Sequence, residues 1–147
     1  MRTQIVKVVT SLSFFALLCA SAHAQAAHAP MKAHIPFSFA VGRESMPAGD
    51  YVISFVSTQS DLQTIVIKSA GGRTARIVQM TGFEMREARE GGRLVFNRYG
   101  SQHFLSQVWE PAERTGLALR RSRAEREVEL ASGGSAERAT VSLTFGR

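Results

Sequence analysis

Arg93-Leu94-Val95-Phe96-Asn97-Arg98-Tyr99-Gly100-Ser101-Gln102-His103-Phe104-Leu105-Ser106-Gln107-Val108-Trp109 is the stretch whose reading decides the fold. Two runs rich in β-branched and aromatic residues flank Gly100-Ser101, and a two-residue hairpin turn needs a residue that tolerates positive φ. A β-hairpin is expected here, stopped by Pro111. Period-two alternation puts Leu94 and Phe96 on one face of its first strand, with Val95, Asn97 and Tyr99 opposite. In its second strand Phe104, Ser106 and Val108 share one face, and His103, Leu105, Gln107 and Trp109 the other. Phe96 and Phe104 are therefore expected in the core.

The same alternation extends upstream. Ile35, Phe37, Phe39 and Val41 read as one strand, with Pro36 marking a strand start or edge. Pro47-Ala48-Gly49 is a turn. After it, Tyr51, Ile53 and Phe55 share one face while Val52, Ser54 and Val56 share the other, which predicts a central strand covered on both sides. Residues 64–68 and 74–80 form two more strands joined across Ala70-Gly71-Gly72-Arg73. Loops this short make antiparallel neighbours, because a parallel return needs a crossover of about a dozen residues. Residues 83–92 carry Glu84, Arg86, Glu87, Arg89 and Glu90, the pattern of a solvated loop or single helical turn.

Downstream, Ser122-Arg123-Ala124-Glu125 has the spacing of a capping box, in which the Ser oxygen and the Glu carboxylate each accept a backbone N–H. A helix over residues 123–131 follows, with Ala124, Val128 and Leu130 or Ala131 as a narrow apolar stripe, ended by Gly133-Gly134. Residues 138–145 return to alternation with Ala139, Val141, Leu143 and Phe145 inward. About seven short strands and one short C-terminal helix predict a mainly β fold: an antiparallel β-sandwich or a partly open small barrel, in a single β-rich domain over residues 34–147.

The first residues predict an address. Arg2 and Lys7 precede an apolar run over residues 8–18, and Ala22-His23-Ala24 supplies a small-x-small end. These are the three parts of a secretory signal peptide over residues 1–24, and the run is too short for a bilayer span of about 20 apolar residues. Cys19 raises lipidation as an alternative, but Leu18 stands where that processing takes a small side chain, so Cys19 is expected to leave with the signal. The exported chain, in the periplasm, outer envelope or extracellular space, then has no cysteine and so no disulfide framework. Residues 25–33 are Ala-rich and read as a flexible leader. Removing residues 1–24 leaves sixteen basic against twelve acidic residues. The arginines are interleaved with glutamates, the look of a solvated surface and not of a nucleic-acid stripe with stacking aromatics.

Taken together, Ile35-Pro36-Phe37-Ser38-Phe39, Val41-Gly42, Met46-Pro47-Ala48-Gly49-Asp50-Tyr51, Leu94-Val95-Phe96-Asn97-Arg98-Tyr99-Gly100, Phe104-Leu105-Ser106-Gln107-Val108-Trp109 and Ser122-Arg123-Ala124-Glu125-Arg126 give the chain a resemblance. It resembles the uncharacterised small secreted proteins common in acidobacterial genomes. The similarity runs from about His34 to Glu127, with Met46 where Leu is expected. It implies export and a β-rich fold and supplies no catalytic residues.

Chemical motifs are sparse. His34 and His103 lack a His-x-His or His-x-x-x-His spacing, so no metal site is expected. Ser106 and His103 fall on opposite faces of one strand, no Gly-x-Ser-x-Gly elbow is present, and the Gly-Gly pairs lack the Lys of a phosphate loop. No catalytic, metal or cofactor residues are assigned. Arg98, Tyr99, His103 and Trp109 form the one candidate partner-binding patch, aromatic and cationic, weighed against plain cross-strand packing. The expected function is a non-enzymatic exported binding or structural module whose partner is an envelope protein, a polysaccharide or a small apolar ligand, with no nucleic acid and membrane contact only through the signal. The alternatives are a small-ligand carrier with an internal apolar cavity and, remotely, a hydrolase with an unrecognised site.

Overall fold

The computed structural model describes residues 29–56, 62–84, 91–111 and 114–145. The expected signal peptide with Cys19 lies outside the described residues, as do residues 25–28 of the leader and residues 85–90 of the charged segment. The elements run β1 (Met31–Ile35), β2 (Phe39–Val41), β3 (Glu44–Met46), β4 (Gly49–Val56), β5 (Leu62–Ser69), β6 (Ala75–Glu84), β7 (Gly92–Tyr99), β8 (Gln102–Trp109), β9 (Thr115–Ala118), α1 (Arg123–Ala131) and β10 (Glu137–Phe145). The fold is mainly β. Eight strands close into an antiparallel barrel in the order β1-β4-β5-β6-β9-β8-β7-β10, with β10 pairing back to β1. Strands β7, β8 and β9 are sequential neighbours and β10 returns beside β7, which is a Greek key whose long connection carries α1.

Closure depends on β8. One of its edges pairs with β7 along the whole hairpin, and the turn at Gly100 has φ 60°, as a two-residue loop requires. The other edge is divided. Gln107, Val108 and Trp109 pair with Ala118, Leu117 and Gly116 of β9, while Phe104 meets Ala40 of β2. The division falls at a β-bulge: Val95 is opposite Gln107 but Phe96 is opposite Leu105, which leaves Ser106 as the extra residue. The Ser106 carbonyl accepts from Leu119 N–H at 2.8 Å and so extends the seam beyond β9.

The bulge corrects the expected facing of β8. An extra residue reverses alternation on one side of it, so Leu105 and Val108 point into the barrel while Phe104 lies outside with Tyr99, their rings 5.9 Å apart. Phe96 is in the core as expected. The predicted single strand through Ile35 and Val41 is broken by Pro36 into β1 and β2, although Ile35, Phe39 and Val41 all remain buried. β1 also starts earlier than the expected leader boundary: Met31 and Ala33 continue the Ile35 alternation and are buried beside Ile53 and Tyr51. Strand β4 is covered on one face only, since Tyr51, Ile53 and Phe55 are buried but Val56 is exposed.

The β2–β3 hairpin closes one end of the barrel. Phe39 meets Tyr51 and Phe96 edge-on with centroids 5.2 and 5.4 Å apart, and Met46 is fully buried opposite Phe39. Arg76 of β6 reaches Glu44 of β3 at 3.0 Å. This pair is solvent-exposed and contributes about 0–1 kcal/mol, whereas burying a side chain such as Phe39 contributes about 1.5–3 kcal/mol, so packing holds the plug.

β9 is the short strand that completes the wall, and sequence alternation gave no sign of it. Its register places Gly116 opposite both Trp109 and Phe83. The indole lies across the glycine to meet Phe83 edge-on at 5.0 Å. A Cβ on Gly116 would fall 2.7 Å from the Trp109 ring and 2.8 Å from Phe83, so the absence of a side chain lets two aromatics span the seam. Gly116→Ala is expected to lower the unfolding free energy by about 1–3 kcal/mol, as overpacking does. Urea denaturation measures this, and in a Trp109→Leu background the penalty should shrink by more than half.

Candidate functional site

The four residues of the expected patch do not come together. Tyr99 lies on the outer face of β7 under α1, and Trp109, 2% exposed, lies ten residues on against Phe83 and Gly116. Arg98 is paired in register with His103, on the opposite face from Tyr99. Arg98 Nε donates to the Gly100 carbonyl at 2.9 Å, and its guanidinium meets Glu137 at 3.4 Å. His103 stacks on Phe37 with centroids 3.9 Å apart and planes inclined by 14°, and Phe37 in turn contacts Phe96. The expectation treated four aromatic and cationic residues of one hairpin as a surface. Their alternation and the bulge send them to separate places.

What covers Tyr99 is polar. Ser122 Oγ accepts the Glu125 N–H at 3.1 Å, which is half of the expected capping box. The Glu125 carboxyl turns away from the box and accepts from Asn97 Nδ2 at 2.7 Å, with both groups buried. The expected apolar stripe is not the buried face of α1: Ala124 is exposed and Leu130 is 81% exposed. Asn97 and Tyr99 of β7 lie beneath the helix, and a carboxyl satisfies Asn97 where an alkyl group would leave its amide unbonded. Burial raises the Tyr99 phenol above its ordinary value, with the nearby Glu125 and Glu129 carboxylates adding to the shift.

Three outward-facing rows cross β8, β7 and β10. Trp109, Arg93 and Ser142 form the first, Gln107, Val95 and Thr140 the second, and Phe104, Asn97 and Arg138 the third. Trp109 and Arg93 of the first row, the whole second row and Arg138, with Phe83, line a groove of about 360 Å³. Val95 and Trp109 form its floor, and the Arg93 guanidinium lies 5.4 Å from the indole centroid, within cation–π reach. Gln107 Oε1 accepts the indole N–H at 3.1 Å, leaving its amide N–H groups for another acceptor. Among the described residues no carboxylate lines the groove. Of the expected patch only Trp109 belongs to it. Arg93, Gln107, Arg138 and Thr140 were not singled out from the sequence, because the β7–β10 pairing that aligns them joins segments some forty residues apart.

A second opening lies in the wall between β1 and β10. These strands pair only at Met31–Phe145 and Lys32–Thr144, and beyond them a cleft of about 450 Å³ forms. Its inner part is lined by Ala33, Tyr51 and Val141, and its rim includes Lys32 and the His34–Asp50 pair, 2.7 Å apart. Among the described residues there is no cluster of three metal-ligating side chains, and no helix is long and apolar enough to cross a membrane.

Two outcomes test this geometry. Burial, reinforced by Arg98, lowers the His103 imidazole from 6.5. Both states are neutral well above that value, so stability is greatest there; as the pH falls through about 6.5 the unfolded chain takes up the proton first and stability declines until the folded imidazole titrates. Chemical denaturation between pH 7.5 and 5 should show this loss, and His103→Phe should flatten it. Glu125→Ala, which strands the Asn97 amide, should cost about 1–3 kcal/mol in the same assay, and Glu125→Gln less, because an amide oxygen remains to accept. Comparison of the chain with protein-family models, curated proteins and solved structures finds no match.

Proposed function

We propose that this protein is an exported, non-enzymatic binding module that recognises a component of the cell envelope or its surroundings through the outer face of β7, β8 and β10. The observation that carries the proposal is the groove lined by Arg93, Gln107, Trp109, Arg138 and Thr140. It combines a rigid aromatic floor with side chains that donate hydrogen bonds or carry positive charge, a composition suited to holding a polar ligand without transforming it. Export is supported by the tripartite first 24 residues, and the resemblance to small secreted acidobacterial proteins agrees with it.

A small-ligand carrier is the second reading, favoured by the cleft between β1 and β10. Its apolar inner part and polar rim suit a small amphipathic molecule. The barrel axis itself is occupied by the core, including Phe96, Met46, Ile53 and Leu105.

Expression of the full chain followed by fractionation should recover a form shortened at residue 24 outside the cytoplasm. Purified from that fraction, it should co-sediment with insoluble envelope polymer, and Arg138→Ala should reduce the bound fraction severalfold without changing the thermal midpoint. Retention of the uncleaved chain in the cytoplasm would overturn the address. Binding that is absent or indifferent to Arg138 would overturn the surface.

A further inference from the structure

We infer that the opening between β1 and β10 accepts an extended peptide segment of a partner protein, which pairs with both strands and completes the barrel wall. This goes beyond the outer-face binding proposed above and does not depend on it; it gives the cleft of the second reading a peptide backbone as its occupant.

Backbone pairing comes first. Beyond Lys32–Thr144, the backbones of Ala33, His34 and Ile35 pair only with β4, and those of Glu137 to Leu143 only with β7. In an antiparallel ladder alternate residues direct their N–H and C=O groups to opposite edges, so both strands present donors and acceptors to the gap. Continued in register, the two strands would set His34 against Ser142 and Ile35 against Val141. Instead His34 lies on one bank of the cleft, with Val141 and Ser142 on the other. A peptide backbone carries donors and acceptors at the strand repeat along two opposite sides, which is what the two banks require. A small amphipathic molecule would cover the same groups and leave most of them unbonded.

Little guards these edges. Natural sheets blunt a free edge with proline, a bulge or charge. From Ala139 to Phe145, β10 reads Ala-Thr-Val-Ser-Leu-Thr-Phe, without proline, glycine or charge, and Ala139, Val141 and Leu143 pack inward. Pro36 follows β1 directly and, having no N–H, limits that edge to residues 33–35.

Shape selects the segment. The cleft closes at Lys32–Thr144, so the segment enters from the end where β1 stops and β10 starts. Because β1 and β10 are antiparallel, a strand between them is antiparallel to one and parallel to the other. β10 has the longer free edge and antiparallel pairing is the stronger per residue, so the segment runs antiparallel to β10. Its inward side chains meet Ala33, the Tyr51 ring and Val141, and the Tyr51 hydroxyl is already donated to the Pro47 carbonyl. Its outward side chains meet Ser142 and the His34–Asp50 pair. The sequence that fits alternates small apolar residues with hydroxyl-bearing ones.

Titration calorimetry and hydrogen exchange on the purified protein test this with a short lysine-flanked peptide of alternating threonine and valine, and with the same peptide N-methylated at alternate residues. The first should bind and slow amide exchange in β10. The second keeps every side chain but loses backbone donors, and should bind at least about tenfold more weakly. Val141→Phe, which fills the inner part of the cleft, should weaken the first peptide severalfold, with the thermal midpoint reporting whether the fold is intact. The comparison of the two peptides on the unsubstituted protein stands whether or not that variant folds. Equal binding of the two peptides, or binding of neither, would overturn strand insertion. Unchanged affinity in a folded Val141→Phe would overturn the cleft as the site. Concentration-dependent dimers that the peptide dissolves would make a second copy the occupant and overturn the partner segment. Envelope co-sedimentation reports separately on the outer face, so the two readings fail independently.

Discussion

Everything in this barrel depends on the divided edge of β8. A closed sheet asks each strand to find a neighbour on both sides, and where pairing runs out the wall opens, as it does between β1 and β10. β9 is too short to do that for β8 alone. Three of its residues pair with Gln107, Val108 and Trp109, and nearer the hairpin turn Phe104 of β8 meets Ala40 of β2. The Ser106 bulge lies where the two partners change over, and its carbonyl is taken up by Leu119. The seam therefore rests on few hydrogen bonds, and the Trp109–Phe83 contact over Gly116 adds apolar area where backbone pairing is thin.

The same constraint distributes the side chains available for function. Because the bulge turns Leu105 inward, Phe104 joins Tyr99 and Asn97 outside, and that surface needs a cover. α1 supplies it with the one buried carboxyl among the described residues, Glu125. Where α1 ends its coverage, the outer rows of β7, β8 and β10 remain open as the groove between Arg93 and Arg138. Covered and open parts of the outer face are thus two results of one strand register. The barrel interior, by contrast, is filled by aliphatic and aromatic side chains and plugged at one end by Phe39 and Met46.

Local chemistry made much of this visible in the sequence. The hairpin at Gly100-Ser101, the turn at Ala70-Gly71-Gly72-Arg73 and the helix beginning after Ser122 all depend on contacts within a few residues, so composition and spacing were enough to place them. α1 spans residues 123–131, as its cap and glycine stop predicted. The Leu94, Phe96, Tyr51 and Ile53 facings also follow from period-two alternation. The candidate patch was another matter. Arg98, Tyr99, His103 and Trp109 are neighbours in the sequence, and proximity in a hairpin does not put residues on one surface.

What the sequence by itself determined was a mainly β, antiparallel chain with one short capped helix, because turns, caps and alternation are local. Only the tertiary structure decided that the sheet closes into an eight-stranded barrel, that Thr115–Ala118 is a strand, and that Phe104 leaves the core. It also decided that Glu125 bonds Asn97 and that Arg93 and Arg138 share one groove. The physical reason is common to all of these. Each depends on which distant strand edge or side chain is presented across the barrel, and a bulge or a bare glycine has meaning only once that partner is in place.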